Sequence, residues 1–123
     1  MIVLSEVDRK NGLVIEYMVD ELFGGDEARG FVARMLCKGP SLTPERIEKV
    51  MQASRERFPK RYEVSRQTSL APFVLGIKQE IESFLSDPEN VRRMSDDVGL
   101  SFGDAATESV KVAKSIRRTH AND

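Results

Sequence analysis

At 123 residues, with 40% hydrophobic and 32% charged side chains, the chain has the size and balance of one globular domain and is too apolar to be disordered. Its formal net charge of −1 excludes a uniformly basic binder that holds nucleic acid by counterion release. No run approaches the roughly 18 apolar residues that span a bilayer, and Met1-Ile2-Val3-Leu4-Ser5-Glu6 lacks a basic leader, so neither secretion nor membrane insertion is expected. Aromatic residues make up only 7%, which implies a core of Leu, Ile, Val and Met that folds without a cofactor. Cys37 is alone, which rules out an intramolecular disulfide and suits a reducing, cytoplasmic setting.

The first twenty-five residues carry two signals. Ile2-Val3-Leu4 followed by Lys10-Asn11-Gly12-Leu13 suggests a hairpin over residues 2–19. A tight Asn-Gly turn, however, sets Val7 against Glu16 and Asp8 against Ile15, which pairs apolar with charged on both faces. Leu13, Val14, Tyr17, Met18 and Leu22 instead recur at helical spacing, with Asn11 as a cap and Gly24-Gly25 as a stop. The pattern favours helix, with the hairpin as the alternative.

The punctuation is clearer from there on. Asp26 caps a helix with Ala28, Phe31, Val32, Met35 and Leu36 on one stripe, ended by Lys38-Gly39-Pro40. Thr43-Pro44-Glu45 supplies a cap, a first-turn proline and an acid at the positive dipole end, opening a helix with Ile47, Val50 and Met51 inward that stops before Pro59. Lys60–Leu70 is polar and aperiodic, and reads as the longest connection. Pro72 opens a helix with Phe73, Val74, Ile77, Ile81, Phe84 and Leu85 on its apolar side. Asp87-Pro88-Glu89 restarts the chain in a shorter helix with Val91, Met94 and Val98 inward and Gly99 at its end. Ser101 with Asp104 resembles a capping box before a last helix that offers Phe102, Ala106, Val110, Ala113 and Ile116 to the core. These segments predict an all-α fold of about six short helices in a compact orthogonal bundle, one domain over residues 1–118 with a fraying tail at 119–123.

Catalytic chemistry has little to build on. His120 is the only histidine and lies in the tail, where little would hold a general base. Cys37 ends its helix, where the negative dipole end raises a thiol pKa. Asp96-Asp97 and Asp20-Glu21 are adjacent in sequence, and adjacent helical residues do not face one site. Metal or cofactor binding and enzymatic activity are therefore not expected, although an enzyme of novel site composition stays a third alternative.

Charge is distributed in blocks. Residues 53–70 carry five bases (Arg55, Arg57, Lys60, Arg61, Arg66) against two acids, and residues 110–123 carry four (Lys111, Lys114, Arg117, Arg118) against one. Residues 71–109 between them carry eight acids against three bases. Those nine basic residues are the candidate binding patch. Two strings resemble helix-turn-helix DNA readers. In Phe58-Pro59-Lys60-Arg61-Tyr62-Glu63-Val64-Ser65-Arg66-Gln67-Thr68, Pro59 and Pro72 interrupt the helices the motif needs. In the second, Met94 to Ala106, Ser95, Gly99, Leu100, Ser101 and Ala105 suit the motif. Asp104 and Glu108, however, fall where side chains reach base edges, and Asp96 and Asp97 precede the turn.

The expectation is a non-enzymatic adaptor, accessory subunit or regulator that binds another protein through helical surfaces bearing the acidic 80–108 region or its basic neighbours, charge steering the partner onto an apolar patch. A homodimer is compatible with this. The alternative is a helix-turn-helix transcriptional regulator reading DNA with residues 91–118.

Overall fold

The computed structural model describes residues 6–37, 43–60 and 71–117, with the side chains of 6–8, 71 and 117 left aside. Among the described residues the chain is all-α, with six helices: α1 Glu6–Phe23, α2 Glu27–Cys37, α3 Pro44–Arg57, α4 Ala71–Ser86, α5 Pro88–Val98 and α6 Phe102–Arg117. The stop at Lys38-Gly39-Pro40, most of the 60–70 connection and the 119–123 tail lie outside the described residues.

Residues 6–23 are helical throughout, which settles the hairpin alternative over the part of 2–19 that is described. The helix starts earlier than Asn11, so Asn11 is no cap. It lies mid-helix, and its side-chain Nδ2 donates to Glu108 Oε2 at 3.2 Å. A mid-helix glycine costs about 1 kcal/mol relative to alanine. Gly12 is tolerated because Val14, Ile15, Met18, Val19 and Phe23, on the turns that follow, are buried and fix the helix by packing.

The other boundaries follow their caps. Thr43 Oγ1 accepts from the Arg46 backbone N–H at 3.1 Å, and Asp87 Oδ1 accepts from that of Glu89 at 3.0 Å, each before a first-turn proline. Ser101 Oγ accepts from the Asp104 N–H at 3.1 Å. Gly99 ends α5 in the left-handed region, φ 75°, which a residue with a side chain would adopt only under strain.

All six helices contribute to one apolar cluster. Met18, Leu36, Ile77, Ile81, Met94 and Ile116 are its largest fully buried side chains. α1 packs against α2, α4, α5 and α6, and α6 packs against α1, α2, α4 and α5. α3 rests principally on α2, held there by Arg46, which donates to the Met35 carbonyl at 2.9 Å, and by a Phe31–Phe58 edge contact. Polar links stitch α1 to its neighbours: Arg34 reaches Glu16 and Asp20 at 3.3 and 3.1 Å, and the Tyr17 hydroxyl donates to Asp97 at 2.7 Å.

That hydrogen bond, reinforced by partial burial and the charges of Asp97 and Glu21, lifts the Tyr17 phenol from 10.0 to about 12. A folded-state pKa above the unfolded value means the stabilisation is complete below pH 10 and is lost as pH rises through 12. Tyr17→Phe should therefore flatten the fall in unfolding midpoint over that alkaline window. An unchanged slope would show that the bond contributes nothing to stability.

Candidate functional site

The last helix carries two apolar stripes, and packing selects one of them. Ala105, Ser109, Val112, Ala113 and Ile116 are buried, whereas Phe102 is 44% and Val110 52% exposed, with Ala106 half-buried between them. This corrects the expectation that Phe102 and Val110 face the core, while Ala106 does pack against it. The physical reason is crowding: a helix flanked by α1, α2, α4 and α5 needs small residues where backbones approach. Ala105 and Ser109 supply them, and the Ser109 hydroxyl satisfies itself on the Ala105 carbonyl at 2.8 Å.

The same rotation moves the acids. Glu108 is 4% exposed; it accepts from Asn11 and, on its other oxygen, from Lys111 Nζ at 3.3 Å. Asp104 lies 3.1 Å from Lys10 Nζ, whose hydrogen bond holds its carboxyl below the usual carboxylate range. Glu108 is therefore withdrawn from the surface, while Asp104 stays partly exposed but paired with Lys10. The expectation that Glu108 would reach base edges is corrected as well.

The outward stripe borders a groove of about 160 Å³ between α4, α5 and α6, with Leu85, Pro88 and Val91 among its other apolar walls. Leu75, Phe102 and Val110 are the exposed large apolar side chains among the described residues, and two of them flank this groove. The Arg92 guanidinium sits 5.3 Å from the Phe102 ring centre and 3.9 Å from Glu89. Lys114, one turn beyond Val110, is exposed. Sequence reasoning placed Leu85, Val91 and Ala106 in or against the core, where they are, but put Phe102 and Val110 there too and gave Pro88 and Arg92 no part in a site. The available signal was the second stripe, Ala105, Ser109, Val112 and Ile116, which begins with two small residues.

The nine basic candidates do not share one element. Arg55, Arg57 and Lys60 lie at and just beyond the end of α3, while Lys111 and Lys114 are on α6. Arg61, Arg66 and Arg118 fall outside the described residues, and Arg117 ends α6 with its side chain undescribed. Arg57 lies over Phe31 and Phe58, 5.2 and 5.8 Å from the ring centres. It borders a cavity of about 340 Å³ beside Asp20, Phe23, Glu27 and Arg34. With three acids and two arginines around it, that cavity has no coherent charge preference.

His120 lies outside the described residues. Cys37 is 4% exposed, and burial pushes its thiol up to about 12 against the lowering effect of Arg46. Among the described residues no three His, Cys, Asp or Glu side chains are grouped to hold a metal ion, and no helix is long and apolar enough to cross a membrane.

Comparisons settle no relationship. No family model, characterised protein or solved structure matches the chain.

Proposed function

We propose that the chain is a non-enzymatic cytoplasmic binding protein that acts by protein–protein contact, with the α4–α5–α6 groove as its docking face. The observation that carries the reading is the exposed pair Phe102 and Val110 on a groove with apolar walls. Exposed large apolar side chains gathered on one groove with a polar rim are where a partner would gain most by docking. Charged groups on the rim, Arg92 and Lys114 of one sign and Glu89 of the other, would orient an arriving helix or loop, and the apolar floor would supply the affinity.

The test is capture by the tagged chain from its native cell extract. The reading expects a stoichiometric protein partner that is lost with Val110→Glu, a substitution at a 52% exposed position that should change stability by no more than about 0.5 kcal/mol. Thr107→Glu, also at an exposed α6 position but not among the groove's walls, should leave capture intact. Absence of any stoichiometric protein partner, or capture indifferent to Val110→Glu, sinks the reading.

One observation favours the helix-turn-helix alternative: with Glu108 buried and Asp104 tied to Lys10, the outer face of α6 presents Thr107, Lys111 and Lys114 with no free acid. On that reading nucleic acid co-purifies in the same capture, and Lys111→Glu with Lys114→Glu abolishes salt-sensitive duplex binding. The apolar pair Phe102 and Val110 on that same face is what ranks it second.

A further inference from the structure

Resting on the reading of the α4–α5–α6 groove as a binding face, we propose that its occupant is a second copy of this chain, in a two-fold dimer that packs α6 antiparallel to α6 about Ala106. Three features of one face converge on this pairing. Phe102, Ala106 and Val110 are spaced four residues apart, so they line up along the helix, the small residue in the middle. An antiparallel two-fold centred on Ala106 sets Phe102 of each copy against Val110 of the other and lets the backbones approach at the alanines. Such a contact is isologous: each copy gives and receives the same pair.

Charge supplies the register. Lys114 and Asp96 have no hydrogen bond or ion pair among the described residues, and both are exposed. Pro88 and Val91 line the groove with Phe102, Ala106 and Val110, and Arg92 lies over Phe102, so the middle of α5 sits beside the Phe102 end of the stripe. Asp96 is one turn past Arg92, about 6 Å further along α5 at 1.5 Å per residue, and so near the same end of the stripe. In the antiparallel pair Lys114 of the other copy, two turns from Ala106, extends about 6 Å past Phe102 along α6, toward that same end. Two symmetric Lys114–Asp96 pairs therefore close over the ends of the apolar stripe. A face with free charges of both signs at its opposite ends is complementary to itself; a uniformly charged partner would meet repulsion at one end.

The contact is led by a few side chains per copy, so it sits at the small end of stable interfaces, with a dissociation constant on the order of 100 µM. The experiment is sedimentation of the full chain over a dilution series from about 1 mM to about 1 µM, which brackets that value. The expected mass moves from dimer to monomer on dilution. Val110→Glu should stay monomeric throughout. Lys114→Glu and Asp96→Lys should each weaken association about tenfold or more, because each turns two attractions into repulsions. An equimolar mixture of those two variants should associate as the parent does, since both cross-pairs are then attractive again.

A parent that is monomeric at the top of the series overturns the dimer, and so does association that ignores Val110→Glu or a mixture that fails to recover. The two readings separate cleanly. A monomeric parent whose capture of a different protein is still lost with Val110→Glu keeps the docking face and rejects self-pairing. Dimerisation lost with Val110→Glu, alongside capture that is not, keeps self-pairing and rejects the groove as the site for other partners.

Discussion

Met94→Ala should lower stability by about 3 kcal/mol, within the range for truncating a fully buried methionine to alanine. Met94 is 0% exposed on α5, in a bundle whose apolar side chains form one cluster shared by all six helices. The cost combines the lost transfer of three heavy atoms from water with a cavity that the surrounding helices only partly close. For a chain of this length that corresponds to a thermal midpoint lowered by roughly 10 °C, readable by calorimetry or circular dichroism. A fall of under about 1 kcal/mol would mean the site collapses freely, contrary to a tightly packed interior.

Ala105→Leu should be about as damaging for the opposite reason. Ala105 is 0% exposed on α6, where that helix is hemmed in by α1, α2, α4 and α5. Overpacking of this kind costs about 1–3 kcal/mol, sometimes more. The neighbour one turn along the stripe, Ser109, is itself small and buried, so it has no bulk to yield. A leucine there must push α6 outward or rotate it, and rotation would draw Val110 toward the core. Denaturant unfolding should show the loss, with Ala105→Gly or Ala105→Ser markedly milder. Equal tolerance of Leu and Ser would show that close approach does not set the rotation of α6.

Element boundaries were largely legible because they are written in local chemistry. Thr43-Pro44, Asp87-Pro88, Gly99 and Ser101 act within one turn of themselves, and each cap forms as its residue type requires. The start of α1 was not legible, since Asn11-Gly12 looks like a terminus and is held mid-helix by buried neighbours and by Glu108 on α6, 97 residues away. The rotation of α6 was hidden for a related reason. Its two stripes are both apolar enough to be buried, and the choice depends on how closely its neighbours pack, which no local pattern encodes. The candidate site inherited that gap: Phe102 and Val110 were assigned to the interior, and the acids Asp104 and Glu108 to the exterior they do not occupy as free charges.

The placement of α3 at the margin has a consequence for how the molecule opens. α3 leans principally on α2, with Val50 and Met51 as its buried apolar side chains and Phe58 half-buried against Phe31 just past its end. Peeling it away exposes far less apolar surface than separating α1 from α6, so it can detach as a unit while the other five helices stay assembled. The protein then has two tiers of cooperativity, a persistent five-helix body and a flap that samples open states many times for each global unfolding event. Among the six helices, proteases and hydrogen exchange should find α3, residues 44–57, first.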